Sequence, residues 1–342
     1  MKILIVKLSA IGDVIHALPV AGALKECFPQ SHITWVVEKP AYDLLANNPF
    51  IDEIIIFEKP KFKSFTGLFR NAPPFIRQLR SGRYDLTLDL QGLFKSAAIG
   101  YFSGAPQRLV YCNTREMSHL LAEKVCGAHM KGHIVEQYLD VVRALGCQVQ
   151  EAKWVFPLTE EEQCSTAAIA DRVGFSLNDP YVILAPGANW PNKRWPVANF
   201  SVVADWLASR NIKSVIVGGA GDQRLAQEIT AAAKTVPIDI TGQTSLKQLA
   251  CITGKARALI GGDTGPMHLA AALKVPVVAL MGPTDIPRNG PYGQAGNALA
   301  TSHACHGCWK RACPKGLDCL AGISVAAVQS KLSSILALRG EN

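Results

Sequence analysis

The chain has 342 residues, 49% of them hydrophobic and 18% charged, and its formal net charge is +8 at pH 7. This composition excludes a disordered chain and is typical of a globular protein long enough for two domains of ordinary size. The excess of Lys and Arg favours anionic partners such as phosphates, nucleic acid or an anionic membrane surface.

The amino-terminal segment does not resemble an export signal, because its apolar run of four residues, 3–6, is followed by Lys7. No window reaches the roughly 18 uninterrupted apolar residues that a membrane span needs. We therefore expect a cytoplasmic protein, in which scattered cysteines are small buried hydrophobic residues. The scattered cysteines are Cys27, Cys112, Cys126, Cys147, Cys164 and Cys251.

Short apolar strands alternate with helical patterns in the first half of the chain. The predicted segments are the strand KILIVKL, a helix from about Asp13 to Cys27, the strands HITWVVE, DEIIIFE and YDLTLDLQG, the helix FKSAAIGYF and the strand RLVYC. This alternation is typical of βαβ units, which build a parallel sheet.

The same alternation starts again near residue 181, with YVILAPG, WPVANFSVVADWLASR, SVIVGGAGD, QRLAQEITAAAK, ALIGGDTGPMHLAAAL and VPVVALMGPTD. We therefore predict an α/β fold with two Rossmann-like domains facing across a cleft. The N-terminal domain is predicted to span residues 1–155 and the C-terminal domain residues 156–324. The amphipathic helix predicted within residues 325–342 is a candidate to pack back on the first domain.

Glycine-bearing turns follow five of the predicted strands, at residues 12, 187, 218–221, 261–265 and 282. Parallel α/β sheets bind ligands outside the carboxyl ends of their strands, so this agreement predicts a ligand site. No G-x-G-x-x-G follows the first strand, and no G-x-x-x-x-G-K-[ST] occurs. These absences weigh against a dinucleotide oxidoreductase and a P-loop NTPase.

The segment GGDTGPMHLAAAL, residues 261–273, is the strongest local signal. Its two leading glycines permit a tight turn, after which a helix opens at Asp263, Thr264 and Gly265. The free N–H groups at such a helix start form an anion site; the alternative is that Asp263 or Thr264 only caps the helix. His268 lies one helical turn further on, as a ligand contact or as a structural histidine.

The loop PGANWPNKRWP, residues 186–196, places Lys193 and Arg194 between a strand and a helix. A mobile cation next to a glycine loop suits a diphosphate leaving group. The alternative is ordinary solvated surface charge.

The segment VKLSAIGDVIHALP, residues 6–19, places Asp13 directly after a strand and a glycine, where a helix begins. An aspartate there either caps the helix or acts as a base held at the mouth of a pocket. The local pattern is compatible with both roles.

A basic stretch covers residues 59–83, KPKFKSFTGLFRNAPPFIRQLRSGR, with seven Lys or Arg residues and no acid. Phe62, Phe65 and Phe69 are spaced to share one helical face. The stretch predicts a basic, aromatic surface for an anionic lipid or its sugar headgroup. The alternatives are a solvated loop over buried phenylalanines, or a nucleic-acid site, for which no accompanying motif is present.

Four further cysteines lie within CHGCWKRACPKGLDC, residues 305–319, with the spacing C-x2-C-x4-C-x5-C. This spacing favours a structural metal site, with zinc as the metal. Disulfides, redox-sensitive thiols and clustering without a function are the alternatives. The candidate ligands are Cys305, Cys308, Cys313 and Cys319.

Taken together, VKLSAIGDVIHALP, PGANWPNKRWP, GGDTGPMHLAAAL and MGPTD, in this order, carry a resemblance that extends to about residue 293. The sequence resembles the ADP-heptose:lipopolysaccharide heptosyltransferases of glycosyltransferase family 9, which have the GT-B fold. TRE at 114–116 and HIVEQYLDVVRALG at 133–146 are similar to the acceptor domain of heptosyltransferase I.

The resemblance implies roles for individual residues. Asp13 matches the catalytic aspartate, which takes the proton of the acceptor hydroxyl as this oxygen attacks ADP-heptose with inversion. Lys193 matches the phosphate-binding lysine, and Arg115 matches an arginine near the acidic sugars of the acceptor. The other donor-binding matches are Asp222, at the adenosine ribose, and Asp263, Thr264, Gly265 and His268.

The resemblance also implies a Kdo–lipid A acceptor and peripheral association with the cytoplasmic face of the inner membrane. Lys61, Lys63 and Arg70 of the basic stretch fit such an acidic acceptor. No cofactor is required for catalysis, because helix N–H groups and Lys193 take the place of a metal, and no nucleic-acid partner is expected. The cysteine segment lies outside the catalytic pattern, so a later core position or another nucleotide sugar stays open.

Overall fold

The computed structural model describes residues 1–338 and divides into two compact units. The N-terminal unit is Met1–Pro157, and the C-terminal unit begins at Leu158. The division lies two residues beyond the expected boundary at 155. Within the described part of the chain, no helix is both long enough and apolar enough to cross a bilayer.

Six parallel strands form the sheet of the N-terminal unit, in the order β3-β2-β1-β4-β5-β6. Its strands are β1 (Lys2–Val6), β2 (His32–Val37), β3 (Glu53–Ile56), β4 (Leu86–Asp89), β5 (Gln107–Tyr111) and β6 (Glu123–Val125). Its helices are α1 (Ile11–Ala17), α2 (Pro19–Cys27), α3 (Phe65–Ser81), α4 (Phe94–Phe102) and α5 (Ile134–Arg143). The central strand β1 is apolar along its whole buried length, as a strand covered on both faces requires.

The C-terminal unit repeats this topology, with the strand order β9-β8-β7-β10-β11-β12. Its strands are β7 (Tyr181–Ala185), β8 (Lys213–Ile216), β9 (Ile238–Asp239), β10 (Ala258–Gly262), β11 (Val277–Met281) and β12 (Ala298–Ala300). Its helices are α6 (Glu160–Arg172), α7 (Val197–Ala208), α8 (Gln223–Ala232), α9 (Leu246–Lys255), α10 (Gly265–Ala272), α11 (Ile286–Asn289) and α12 (Val325–Ala337). The two predicted Rossmann-like domains are therefore present, and β4 and β10 occupy equivalent places in them.

The last helix, α12, belongs to the core of the C-terminal unit. Val328, Leu332 and Leu336 are buried there and pack in the same cluster as Phe200 of α7. The sequence predicts this helix as a candidate to pack back on the first domain; in the structure its apolar face is covered by α7, β10 and β11. The final residues of that prediction, 339–342, lie outside the described residues.

The helices of the N-terminal unit cover the two faces of its sheet. The crossovers that carry α3 and α4 advance along the sheet in the same direction, so right-handed connections put both helices on one face. The crossover through α1 and α2 runs the other way and covers the opposite face, where α5 contacts both helices. The α3 side buries Leu79 and Ile99 against the strands.

Two disulfides cross-link the N-terminal unit, Cys27–Cys147 and Cys112–Cys126. The expectation that these four cysteines are separate buried hydrophobic residues is therefore wrong. The expectation rested on a cytoplasmic location of the protein. The fold instead brings together two pairs of cysteines that are 120 and 14 residues apart in the sequence. Cys164 is an exposed free thiol, which also departs from the expectation.

Candidate active site

Four polar side chains converge where β10 ends in the C-terminal unit. The Oδ2 atom of Asp263 accepts hydrogen bonds from Lys193 Nζ at 2.6 Å and from the Thr284 hydroxyl at 2.7 Å. Its Oδ1 atom lies 2.8 Å from His268 Nε2. The Lys193 side chain is 13% exposed and the Asp263 side chain 4%, so this is an ion pair almost withdrawn from water. We call these four residues the Asp263 network.

The Asp263 network keeps its carboxylate ionised. Burial by itself raises the pKa of Asp263, but the hydrogen bond and charge of His268 and the charge of Lys193 outweigh it. The pKa of Asp263 therefore lies well below its usual range. An ionised Asp263 in turn fixes the Lys193 ammonium at the start of α10.

The turn before α10 depends on Gly262. A Cβ at this position would lie 2.3 Å from the Lys193 carbonyl oxygen, so only glycine lets the two loops approach. Thr264 is the N-cap residue, but its side chain makes no capping bond; its hydroxyl donates to the Gly262 carbonyl at 3.3 Å. Side-chain capping by Asp263 or Thr264 is therefore not what these residues do. The first-turn N–H groups have no acceptor within the helix and can meet an anion.

Lys193 and Arg194 are not freely mobile surface cations. Lys193 is paired within the Asp263 network and also lies over the ring of Trp190, 4.4 Å from its centroid. Arg194 donates through Nε to the Ala188 carbonyl at 2.9 Å. Lys193 is therefore held at the Asp263 network, whereas Arg194 stabilises its own loop through the Ala188 carbonyl.

The cysteine segment packs directly on the loops that carry the Asp263 network. Asn192 Nδ2 donates to the Lys310 carbonyl at 2.7 Å. The Gly307 N–H bonds the Gly282 carbonyl at 2.8 Å, and the Trp309 N–H bonds the Pro283 carbonyl at 2.7 Å. Residues 307–310 are thus hydrogen-bonded to the residues next to Lys193 and Thr284 and stabilise their loops.

The predicted zinc site is not supported by the structure. Within residues 1–338, no three His, Cys, Asp or Glu side chains are grouped so as to hold a metal ion. Cys319 is 7% exposed and faces the core beside Gly282, whereas Cys308 is exposed. Burial raises the pKa of the Cys319 thiol, while backbone N–H groups from Leu317 and Lys315 lower the pKa of Cys313. The charges of Cys308, Cys305 and Cys313 also raise the pKa of Cys319, so the four thiols lie near one another without forming a group of metal ligands in the described part of the chain.

Asp222 lies over the glycine turns that end β7 and β8. Its Oδ2 atom accepts the Gly219 N–H at 2.9 Å. A Cβ added to Gly187 would lie 2.3 Å from the Asp222 carboxyl carbon, and one added to Gly218 2.9 Å from its Cβ. Glycine at 187 is thus what gives this carboxylate room beside the strand ends.

Asp13 lies in the first turn of α1, at the carboxyl end of β1 in the N-terminal unit. Its Oδ2 atom accepts the Ala10 N–H at 3.3 Å, and the side chain is part-exposed. Asp13 therefore makes a long capping contact and still presents its carboxylate to solvent. The two roles considered for this residue are compatible with each other.

Gln91 holds the loop that leads to Asp13. Its Oε1 atom accepts the Leu8 N–H at 3.1 Å and the Ser9 N–H at 3.2 Å. Gln91 is itself oriented by Asp89, whose Oδ1 atom accepts the Gln91 N–H at 2.9 Å. The loop at the end of β4 therefore positions the loop at the end of β1.

Asp89 is the buried centre of this second arrangement, which we call the Asp89 network. Its Oδ1 atom also accepts the Gly92 N–H at 3.0 Å, and its Oδ2 atom accepts the Ser96 hydroxyl at 3.0 Å. Burial raises the pKa of Asp89 to about 6, because these hydrogen bonds and the charge of Lys7 only partly offset it. Lys7 donates to Leu90 O and Tyr138 Oη rather than to the carboxylate.

Arg115 is connected to the same loop. Its backbone N–H donates to the Gly92 carbonyl at 2.8 Å, and the Ser118 hydroxyl donates to the same oxygen at 3.0 Å. Gly92 has φ +67°, and a Cβ there would lie 2.7 Å from the Tyr111 ring. Residues 91–92 thus link the Asp13 loop to the Arg115 loop, and the Arg115 residue itself is exposed.

The basic stretch forms a short 3-10 helix, Lys59–Phe62, followed by α3. Lys61, Lys63 and Arg70 are exposed, and Lys61 pairs with Glu58. The prediction that three phenylalanines share one face is wrong: Phe62 stacks on the core residue Phe57, whereas Phe65 and Phe69 face solvent. The change from 3-10 to α-helix between them breaks the assumed spacing.

Each unit gathers its predicted catalytic and donor residues at its own strand ends, whereas Lys61, Lys63 and Arg70 lie on and beside α3. The C-terminal unit joins Lys193, Asp263 and His268 directly, and Asp222 lies at the neighbouring strand ends. The sequence analysis did not single out Thr284, although it identified the turn MGPTD that contains this residue. It also did not single out Gln91, because YDLTLDLQG indicates only a strand followed by a glycine. A cavity of about 180 Å³, lined by Lys2, His32 and Glu53 among others, opens at the opposite, amino ends of β1 to β3.

Comparison with known proteins places this architecture in a family. The family model for glycosyltransferase family 9 (heptosyltransferase) matches residues 74–317. The chain is 26% identical to the lipopolysaccharide core heptosyltransferase OpsX of Haemophilus influenzae, covering 86% of this chain and 83% of the relative. It is 29% identical to lipopolysaccharide heptosyltransferase 1 of Pseudomonas aeruginosa, covering 92% of this chain and 87% of the relative. It is 27% identical to lipopolysaccharide heptosyltransferase 2 of Escherichia coli, covering 83% of each.

Solved structures agree with this match. The glycosyl transferase family 9 structure from Veillonella parvula superposes with a TM-score of 0.84 at 26% identity, covering 98% of this chain and 97% of the other. The E. coli ADP-heptose LPS heptosyltransferase II superposes with a TM-score of 0.79 at 26% identity, covering 99% and 100%. The predicted GT-B-type fold is thus confirmed. Because the family model covers well over half of the chain, this protein belongs to glycosyltransferase family 9, the heptosyltransferases.

Proposed function

We propose that this protein transfers a heptose from ADP-heptose to the Kdo–lipid A inner core of lipopolysaccharide, with inversion at the anomeric carbon. The observation that carries the proposal is the Lys193 ammonium, held by buried Asp263 at the start of α10. A fixed cation beside a helix start is suited to a diphosphate. Relatives named as lipopolysaccharide heptosyltransferases support the substrate class.

In the proposed step, the acceptor hydroxyl oxygen forms a bond to the anomeric carbon of the heptose. The bond between that carbon and the diphosphate oxygen breaks, and ADP leaves with the electron pair. The hydroxyl proton goes to the Asp13 carboxylate, since an uncharged hydroxyl is a poor nucleophile.

Donor recognition is assigned to the C-terminal unit. Lys193, Gly265 and the first-turn N–H groups of α10 stabilise the negative charge that grows on the leaving diphosphate, without a cofactor. Thr264 carries its hydroxyl at the same helix start, and Asp222 is proposed to meet the adenosine ribose. Because both carboxylate oxygens of Asp263 are already engaged, we propose that Asp263 and His268 position Lys193 rather than contact the sugar.

Acceptor recognition is assigned to the N-terminal unit. Arg115, on the loop tied to Gly92, and Lys61, Lys63 and Arg70 supply positive charge for an acidic acceptor. The first core position is proposed because the segments around 114–116 and 133–146 resemble heptosyltransferase I. The identities to heptosyltransferases 1 and 2, 29% and 27%, do not separate the core positions, so a later position is the second candidate.

The test measures heptose transfer from ADP-heptose to Kdo2–lipid A, with mass detection of the product, for the wild type and for Asp13→Asn. We expect Asp13→Asn to lose activity by about 10²- to 10⁴-fold, the range of general-base contributions. Its affinity for ADP should be unchanged. Asp85→Asn is the matched control, since Asp85 is an exposed aspartate at the amino end of β4 and should leave transfer unaltered.

Each part of the proposal has its own contrary result. Normal turnover by Asp13→Asn would reduce Asp13 to a helix-capping residue. Transfer to an already heptosylated core but not to Kdo2–lipid A would move the acceptor to a later position. Turnover with a UDP- or GDP-sugar in place of ADP-heptose would replace the donor.

A further inference from the structure

The ring of Trp190 brings two cationic side chains of the C-terminal unit together. Lys193 Nζ lies 4.4 Å from the ring centroid, and the guanidinium carbon of Arg311 lies 5.8 Å from the same centroid. Both distances fall within the roughly 6 Å at which a cation and an aromatic ring attract each other. Trp190 and Lys193 belong to the loop after β7, whereas Arg311 belongs to the cysteine segment. The cysteine segment thus adds a second cation beside the Lys193 ammonium.

The backbone that leads to Arg311 is held on the loops of the Asp263 network. Asn192 Nδ2 donates to the Lys310 carbonyl at 2.7 Å, so the residue directly before Arg311 is bonded to the residue directly before Lys193. One residue earlier, the Trp309 N–H donates to a carbonyl of the turn after β11, also at 2.7 Å. The Arg311 side chain therefore starts from a fixed place close to the Asp263 network.

The charge of the Arg311 guanidinium is not balanced by an acid. Arg311 is exposed, and within residues 1–338 its side chain makes no ion pair and no hydrogen bond besides its contact with the Trp190 ring. Two other arginines of these loops, Arg194 and Arg288, each donate to an oxygen of their own loop. A cation–π contact at an exposed site is weak, so an anion can draw the guanidinium of Arg311 away from the ring.

The Lys193–Asp263 pair alone does not neutralise a diphosphate. The Lys193 ammonium is matched by the ionised Asp263 carboxylate at 2.6 Å, so the pair has no net charge. The N–H groups at the start of α10 add only a partial positive charge. A leaving diphosphate gains negative charge as its bond to the sugar breaks, and an unbalanced cation within reach stabilises that charge.

We propose that Arg311 binds the diphosphate of the donor as the second cation of this site. The inference rests on the proposed function, which makes a nucleoside diphosphate the leaving group, and it extends the donor site to the cysteine segment. The planar guanidinium donates two parallel N–H bonds to phosphate oxygens, which an ammonium does not do. Trp190 keeps the guanidinium beside Lys193 while the site is empty, and the diphosphate takes it over from the ring.

The first test measures the binding of ADP and of adenosine to the full chain by calorimetry, for the wild type and for Arg311→Gln. We expect Arg311→Gln to bind ADP about tenfold more weakly or worse, which corresponds to the loss of a hydrogen bond to a charged group. Adenosine has no phosphate, so its affinity should not change. The ADP affinity of the variant should also depend less on salt than that of the wild type, because one charge contact is missing.

Two further variants separate a local contact from overall charge. Lys315→Gln removes an exposed cation from the same segment and should bind ADP like the wild type. Arg311→Lys keeps the charge without the planar fork, so its ADP affinity should lie between those of the wild type and Arg311→Gln. Circular dichroism checks that every variant is folded, as expected for exposed positions.

Three results would overturn the proposed Arg311 contact. The first is an ADP affinity of Arg311→Gln equal to that of the wild type. The second is an equal loss of adenosine and ADP affinity, which would mean that Arg311 acts through the Trp190 loop and not on the diphosphate. The third is an equal loss of ADP affinity in Lys315→Gln, which would mean that only the overall charge of the segment matters.

Transfer assays distinguish this inference from the proposed function. Arg311→Gln should lower kcat/KM for ADP-heptose by at least the factor lost in ADP affinity, because the charge on the diphosphate grows towards the transition state. An ADP affinity that depends on Arg311, without heptose transfer by the wild type, would contradict the proposed function and support the Arg311 contact. Equal transfer rates of the wild type and Arg311→Gln would support the proposed function and overturn the Arg311 contact.

Discussion

Asp89 and Asp263 stand at equivalent places in the two units, at the carboxyl ends of β4 and β10, and both are nearly fully buried. Asp89 accepts two backbone N–H groups and a hydroxyl, whereas Asp263 is in contact with Lys193 and His268. The pKa of Asp89 is raised to about 6, and that of Asp263 is lowered. Burial raises the pKa of both carboxyl groups, so the difference comes from cationic partners within contact distance.

The difference separates two uses of a buried carboxylate. The Asp89 network orients loops: through Gln91 and Gly92 it ties the Asp13 and Arg115 loops to one strand end. The Asp263 network holds a charge, because its carboxylate keeps the Lys193 ammonium at the start of α10. The proposed transfer would use both, one to place the proposed base Asp13 and the other to hold a cation for the leaving diphosphate.

The variant Asp263→Asn is expected to have the largest effect on stability. It leaves Lys193 and His268 without their counter-charge in a buried site, which typically costs about 3–5 kcal/mol in the free energy of unfolding. Urea denaturation measures that loss, and calorimetry should show weakened ADP binding. Because the pKa of Asp263 is lowered, its ionised form stabilises the folded state at pH values above about 4, the pKa in the unfolded chain. The loss of unfolding free energy in Asp263→Asn should therefore be greatest above pH 4 and should become smaller as the pH falls.

The control for Asp263→Asn is Asp179→Asn. Asp179 also pairs with a lysine, Lys213 at 2.7 Å, but both side chains are substantially exposed. Exposed ion pairs contribute little, so this variant should denature like the wild type and bind ADP normally. Equal losses in the two variants would contradict the claim that burial makes the Asp263 network different.

Asp89→Asn tests the opposite sign of pH dependence. A raised pKa means that the contribution of Asp89 to stability is present below pH 4 and is lost as the pH rises through about 6. The amide cannot ionise but can still accept the Gln91 and Gly92 N–H groups. Relative to the wild type, the variant should therefore gain on the order of 2 kcal/mol in unfolding free energy between pH 4 and pH 7.

Denaturation curves of the wild type and Asp89→Asn at several pH values check this expectation. Other titrating groups are common to both proteins, so the difference between them isolates Asp89. A difference that does not change with pH would mean that Asp89 is ionised throughout and that the comparison with Asp263 fails.

The sequence was sufficient for the fold because strand and helix patterns are local. The alternation of apolar strands with amphipathic helices predicted both Rossmann-like units. The glycine turns predict ligand-binding loops at particular strand ends, and this stays a prediction. The resemblance to the heptosyltransferases implied that Lys193, Asp263 and His268 lie near one another, and these side chains are in contact in the structure. The roles of Asp13 and the other site residues in catalysis and binding stay predictions.

What the sequence could not predict are pairings between distant residues. The local pattern allows Asp263 to be a ligand contact or a cap, but its partners Lys193 and Thr284 lie 70 and 21 residues away. Cys27 and Cys147 are 120 residues apart, and an expected reducing compartment gave no reason to pair them. Gln91 carries no motif at all, since its importance lies in which backbone N–H groups the fold brings to its amide oxygen.

Asn192→Ala is the smallest and most selective test. Each network is supported by hydrogen bonds from a neighbouring segment. Arg115 N–H and the Ser118 hydroxyl donate to the Gly92 carbonyl, next to the Asp89 network. Asn192, which precedes Lys193, donates to the Lys310 carbonyl of the cysteine segment. Removing the Asn192 amide leaves the Lys310 carbonyl unpaired and should cost about 1 kcal/mol in unfolding free energy. Because Lys193 stays present but less fixed, KM for the donor should rise more than kcat falls.

Thiol labelling shows whether that brace connects the cysteine segment to the Asp263 network. When the Asn192–Lys310 bond is lost, residues 305–310 should open more often, so Cys305, which is part-buried, should react faster with a maleimide. Bound ADP should slow that labelling in the wild type, because it orders the same loops. Asn178→Ala, at an exposed position of the same unit, should change neither rate. Unaltered labelling in Asn192→Ala would mean that the segment is held by the Gly307–Gly282 and Trp309–Pro283 bonds alone, and that it is not coupled to Lys193.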